Sequence, residues 1–183
     1  MARICVFCSS SERIHPAHLE LAAELGAELA RRGHDLVSGG GRVSMMGAVA
    51  RAARAGGART TGVIPRSMVE REWADHDSDE LLVVDTMRER KAQMEARADA
   101  FLALPGGIGT CEELFEVWTA GALGLHAKPV VVLDPDGHYA GLLEWVRGMG
   151  ERGFVRDAAL RRLAVAADVD TALDACAQDV AVP

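Results

Sequence analysis

Four short stretches of the 183-residue chain hold residue types that could do chemistry. SGGGRVSMMG, Ser38 to Gly47, sets Gly39, Gly40 and Gly41 in a row between an apolar run and a helical pattern. Consecutive glycines let backbone N–H groups approach an anion closely, and a helix start behind them adds partial positive charge. ALPGGIGTCEE, Ala103 to Glu113, repeats this arrangement after another apolar run. It has no G-K-[ST] and so is not a Walker-type loop. Thr110 and Glu113 also spell a capping box, in which Glu113 would only bond back to Thr110. TMRERKAQM, Thr86 to Met94, opens a third helix and carries Arg90 and Lys91, which alone would read as a solvated helix face. CSSSE, Cys8 to Glu12, lacks G-x-G-x-x-G and reads equally as a turn or a ligand contact.

The elements between these stretches decide whether they can meet. Apolar runs at Ile4–Cys8, Asp35–Ser38, Thr60–Ile64, Leu81–Val84, Ala100–Leu104, Val130–Leu133 and Leu163–Ala166 predict strands. Several are continuously apolar, as strands covered on both faces must be. Helical patterns fill the gaps: one carries Leu21, Leu25 and Leu29 between Pro16 and Gly33, and the others span Met45–Arg54, Arg88–Ala98, Thr110–Leu123, Tyr139–Arg152 and Thr171–Ala177. This alternation predicts one α/β domain over residues 1–183, a doubly wound, mostly parallel, Rossmann-like sheet with helices on both faces. In such a sheet ligands bind beyond the carboxyl ends of the strands, where all four stretches lie. If the fourth and fifth strands are neighbours, Arg90 and Glu113 project into one crevice. The polar segment Arg66–Glu80 is long for a connection and is a candidate functional loop.

Composition narrows the function class. A formal charge of −7 disfavours a nucleic-acid-binding surface but not a small phosphorylated ligand held by local donors. No apolar run approaches a membrane span, and the apolar stretch after Met1 is too short for a signal peptide, so a cytoplasmic protein is expected. Cys5 and Cys8 spell C-x-x-C, yet three positions apart on a strand they face opposite sides, which suits small buried hydrophobes better than a disulfide or a metal. The six histidines form no H-E-x-x-H and no spacing with cysteine that would hold a metal. No metal or other cofactor is expected.

PGGIGTCEE, Pro105 to Glu113, matches the PGGxGTxxE signature of the Lonely Guy (LOG) family of phosphoribohydrolases, and TMRERK resembles that family's MHxRK element. The separation of Arg90 from Glu113 is similar to the family's as well. SGGGRVSMMG resembles its GGGxxGLMG loop, and the likeness runs from about Arg3 to Arg152. Three departures stand out: Ser44 replaces a usual glycine, Ser9 stands where C-G-S-S is common, and Arg88 replaces a usual histidine.

The resemblance implies hydrolysis of the N-glycosidic bond of a purine nucleoside 5′-monophosphate, cytokinin-type or AMP, to free base and ribose 5-phosphate. It also implies Arg90 and Glu113 as the catalytic pair. Gly107, Ile108, Gly109, Thr110, Cys111, Glu112 and Glu113 would contact the nucleotide, with its phosphate near the Gly-Thr turn. Glu72, Lys91 and Thr119 would supply further substrate contacts, and the glycine loop Gly39–Gly41 would line the site. The family is generally homodimeric, with sites completed at or near the subunit interface. Glycosidic cleavage passes through an oxocarbenium-like sugar, which a carboxylate such as Glu113 can stabilise while a cation such as Arg90 offsets negative charge elsewhere on the nucleotide. Related proteins carry a lysine decarboxylase label, but a pyridoxal enzyme needs a Schiff-base lysine, and of the two lysines only Lys91 lies near a loop of interest. The alternative is a non-catalytic nucleotide-binding or carrier protein of the same fold, which would not need Glu113 as a carboxylate.

Overall fold

The computed structural model describes residues 1–71 and 73–178. Seven strands form one sheet in the order β4-β3-β2-β1-β5-β6-β7. They are β1 (Arg3–Phe7), β2 (Asp35–Ser38), β3 (Thr60–Pro65), β4 (Glu80–Val84), β5 (Ala100–Ala103), β6 (Val130–Leu133) and β7 (Leu163–Ala166). Every pairing is parallel. The central β5 and β6, AFLA and VVVL, are buried at every position, while the edge strands β4 and β7 are partly exposed. Hydrophobic content thus sorts the strands by place in the sheet.

Helices cover both faces, as the alternation predicts. α1 (Pro16–Arg31), α2 (Ser44–Ala55) and α8 (Val169–Cys176) pack on one side. α4 (Met87–Arg97), α5 (Ile108–Ala122) and α6 (Ala140–Glu151) pack on the other. Two single-turn helices, α3 (Arg66–Val69) and α7 (Asp157–Leu160), escape periodicity because four residues span barely one turn. α3 begins the stretch expected to be a loop and Glu80 already opens β4, so both ends of Arg66–Glu80 belong to regular elements. Cys5 packs into the α4/α5/α6 layer and Cys8 into the α1/α2/α8 layer, and both thiols are free. Burial pushes both well above the usual thiol range, so they behave as hydrophobes.

The strand order overturns one expectation. β4 and β5 are not neighbours: β4 is the edge strand, and β5 pairs with β1. The chain winds outward from β1 to β4, and α4 then returns it across the sheet, touching β4, β3, β2 and β1 on the way. β1 and β5 flank the point where the winding direction reverses, and a crevice opens there beyond the strand ends.

On the opposite face α1 and α2 pack closely through Gly26. A Cβ at this position would lie 2.3 Å from the Val49 carbonyl oxygen and 3.0 Å from the Ala52 Cβ. Gly26→Ala should therefore force the helices apart at a cost of about 1–3 kcal/mol. A thermal melt should show Tm lowered by roughly 2–10 °C; an unchanged Tm would mean the contact is not tight.

Candidate active site

The crevice at the β1/β5 reversal is a cavity of about 460 Å³, within the size range of small-molecule sites. Three turns ring it: Cys8–Ser11 after β1, the glycine loop after β2, and Gly107–Thr110 at the start of α5. Arg90 and Glu113 lie at its floor.

Arg90 is placed by α4. Thr86 caps this helix, its Oγ1 accepting the Glu89 N–H at 3.1 Å, and Arg90 follows one turn later. The guanidinium donates from Nε to the Val63 carbonyl (3.1 Å) and from Nη1 to Glu113 Oε1 (2.8 Å). Gly39 makes room for it: a Cβ there would fall 1.6 Å from Nη2. Gly40, at φ +71°, bends the loop away against Val63 and Ile64, where only glycine sits without strain. The crossing of α4, not adjacency of β4 and β5, is what brings Arg90 to Glu113.

Glu113 is not a cap. The N-cap of α5 is Gly107, with no side-chain bond to the first turn, and Thr110 is already inside the helix. Thr110 instead packs on Gly106, where a Cβ would lie 2.1 Å from its Oγ1. With Thr110 three residues past the cap and Glu113 six past it, the two cannot form a capping box, and Glu113 accepts from Arg90 instead. Arg90 and Glu113 are 7% and 8% exposed. Burial pushes the Glu113 carboxyl above the usual carboxylate range, against the opposing pull of the Arg90 charge and hydrogen bond.

The turn that opens α5 is held from behind. The Tyr139 hydroxyl, buried beneath it, donates to the Leu104 carbonyl at 2.7 Å, and Gly106 O accepts from His138 Nε2 at 2.9 Å. Sequence reasoning missed both residues, since neither belongs to a motif. It also missed Trp73, 42% exposed, which lines the cavity with Met46, Met68 and Met87. Its position in the long polar segment was the available signal. Main-chain bonds pin Trp73 to the glycine loop, Arg42 N–H to Trp73 O (2.9 Å) and Asp75 N–H to Gly40 O (2.8 Å). Arg54 braces Asp75 at 2.8 Å.

Gly39, Gly41, Gly107, Ile108, Gly109, Thr110, Glu112, Arg90 and Glu113 all line the cavity. Lys91 lies beside it, turned to Glu112 and to Glu116 (2.7 Å), and these partners raise its pKa. Cys111 is half-buried against the α4/α5/α6 layer. Thr119 is two turns farther along α5, in a shallow apolar groove with Phe115, Trp118, Ala122 and Leu123. Glu72 falls outside the described residues. Among the described residues no three His, Cys, Asp or Glu side chains converge as metal ligands, and no helix is long and apolar enough to cross a membrane. The cavity offers glycine amides, serine hydroxyls, the carboxylates of Glu112 and Glu113 and one guanidinium, and the amides and the guanidinium suit an anionic sugar.

The ion pair has a measurable consequence. Arg90→Met should strand the Glu113 carboxylate and cost about 3–5 kcal/mol at neutral pH. A carboxyl whose folded pKa is raised favours the protonated folded state, so stability falls as pH rises from the usual carboxylate range through the raised value. Urea melts should show the deficit of Arg90→Met shrinking toward acid pH, and Glu113→Leu added to it should recover much of the loss. A deficit independent of pH would contradict the pairing.

The family model described as "Possible lysine decarboxylase" matches residues 46–176. A cytokinin riboside 5′-monophosphate phosphoribohydrolase of Mycobacterium tuberculosis is 56% identical over 174 residues, covering 95% of this chain and 92% of the relative. One from Oryza sativa subsp. japonica is 46% identical over 165 residues, covering 90% of this chain and 68% of its own. Among solved structures, the molybdenum cofactor carrier protein of Chlamydomonas reinhardtii superposes with a TM-score of 0.72 at 25% identity, over 94% of each chain. With the family model and these relatives spanning most of its length, the chain belongs to the Lonely Guy (LOG) family.

Proposed function

We propose that this protein hydrolyses the N-glycosidic bond of a purine nucleoside 5′-monophosphate, cytokinin-type or AMP, releasing free base and ribose 5-phosphate. The observation that carries this reading is the buried Arg90–Glu113 pair at the floor of a cavity ringed by glycine and serine turns. The relatives named as phosphoribohydrolases support the same reaction.

The phosphate binds the open N–H groups of Gly107–Thr110, where the α5 start is unsatisfied and partially positive. The glycine loop, through Gly39 and Gly41, faces the sugar from another wall of the cavity. The base then occupies the apolar end formed by Met46, Met68, Trp73 and Met87. Arg90 holds Glu113 Oε1, so Oε2 is the oxygen that meets the ribose. As the C1′–N bond breaks, its electron pair leaves with the base, and the carboxylate stabilises the positive charge growing on the sugar. Water adds to C1′, giving ribose 5-phosphate, and a proton passes to the base. Glu112, Lys91, Cys111, Thr119 and Glu72 serve as peripheral contacts, with Thr119 reaching substrate through the subunit arrangement below. A carrier of the same fold would use the same glycine turns but would not need a carboxylate at Glu113.

The decisive experiment incubates the protein with AMP, isopentenyl-AMP and adenosine, with chromatography for free base. Both monophosphates should turn over in preference to the nucleoside; equal kcat/KM for AMP and adenosine would rule out phosphate anchoring. Glu113→Gln should keep the fold and lose at least about 100-fold in kcat, the scale of a removed charge-stabilising group. Full activity in a folded Glu113→Gln variant would end the assignment. On the acid side kcat/KM should rise with pH through a value above the usual carboxylate range, because Glu113 acts ionised and its carboxyl titrates high.

We further propose a homodimer assembled through the groove of Phe115, Trp118, Ala122 and Leu123 on α5. Leu123 and Leu125 are largely exposed beside it, and a second copy would cover them. Light scattering should give twice the 19.5 kDa chain mass, and Leu123→Glu should shift it toward monomer. A monomer mass for the unaltered protein across working concentrations would defeat this.

A further inference from the structure

Ser44 is the only non-glycine among the described residues with a positive φ, 51°. This left-handed conformation costs an ordinary L-residue energy that glycine would not incur. Strain of this kind persists where something else requires the side chain. The Ser44 hydroxyl donates to the Ser11 carbonyl at 2.6 Å, joining turns that are 33 residues apart in sequence. Ser11 N–H in turn bonds Ser9 Oγ at 3.1 Å, which curls the turn after β1. Ser9, Ser10 and Ser11 line the cavity, as do Val43 and Met46 on either side of Ser44, but Ser44 itself does not. Gly47 winds the same loop tightly, since a Cβ there would meet the Arg42 carbonyl oxygen at 2.0 Å. The start of α2 therefore has little freedom to follow the serine turn if the turn moves.

We propose that Ser44 is a positioning residue, a latch whose hydroxyl holds the Ser9–Ser11 turn against the cavity so that it meets the sugar phosphate of the substrate. The proposal rests on the nucleotide reading of the cavity. The latch acts on binding and not on bond breaking, because its hydrogen bonds hold the serine turn and none of them reaches the Arg90–Glu113 pair. Losing it weakens ground state and transition state alike, which raises KM and leaves kcat nearly unchanged.

Three variants separate the latch from mere backbone strain. Ser44→Ala keeps the strain and loses the donor; Ser44→Gly loses both. Ser44→Asn tolerates the left-handed region and offers an amide N–H to Ser11 O. The latch predicts that Ala and Gly each raise KM for AMP about 3- to 10-fold with kcat within about 2-fold, as expected for one modest hydrogen bond. Ser44→Asn should return KM toward the unaltered value. Hydrogen–deuterium exchange of residues 9–13 in the unliganded protein should be faster by a similar factor in Ala and Gly, and normal in Asn. A strain-only role would give the variants different melting temperatures while KM and exchange stay unchanged, which overturns the latch. Faster exchange with unchanged KM overturns its service to the substrate. If the unaltered protein releases no base from either AMP or isopentenyl-AMP, the reaction reading fails, and the exchange measurement still decides whether the latch exists.

Discussion

An ionised carboxylate in a protein interior is expensive unless a charge and hydrogen bonds meet it, and here the Arg90 guanidinium does so. Around that pair the other features fall into place. Gly39 is a glycine because the guanidinium occupies the space of a side chain. The Val63 carbonyl, in the second half of β3, accepts a hydrogen bond from the Nε–H that would otherwise be stranded. Thr86 starts α4 in the phase that points Arg90 inward. The carboxyl nevertheless titrates high, so the pair offsets the burial of Glu113 only in part. A buried carboxyl raised by desolvation and drawn back by a specific cationic partner, set in a cleft, is a common mark of a functional site.

Sheet topology supplies the second constraint. A chain that winds β1 to β4 in one direction and then restarts beside β1 must carry one helix back across that half of the sheet. That helix is α4, and where it starts sets where Arg90 arrives. The cavity is therefore built from parts distant in sequence but close to the reversal point: the serine turn, the glycine loop, α4 and the start of α5.

Much of this was legible from residue types. Continuous apolar runs marked the buried strands, and glycine clusters marked the turns that ring the cavity. Motifs singled out Arg90 and Glu113 as candidates, but they meet by the crossing of α4 and not by the strand adjacency on which their meeting was made conditional. Strand order depends on which way each crossover turns, and hydrophobic pattern alone does not encode that. The T-x-x-E spelling left a capping box open, and it does not form because the N-cap is Gly107, three residues before Thr110. Tyr139 and His138 were invisible because their contacts are to carbonyl oxygens 32 to 35 residues away, which no local pattern announces. Thr119 shares α5 with Glu113 but faces a different groove.

The wall that carries Trp73 is fastened to the glycine loop through its own carbonyl and the N–H of Asp75, not through the indole. Main-chain anchoring of this kind is indifferent to which side chain position 73 bears. Exchanging the indole for another group would reshape the apolar end of the cavity while the wall stays in register with Gly40 and Arg42. The shape of the cavity's apolar end can thus be changed at one position without disturbing the glycine loop or the Arg90–Glu113 pair, a separation written into the hydrogen-bond pattern of a single short bridge.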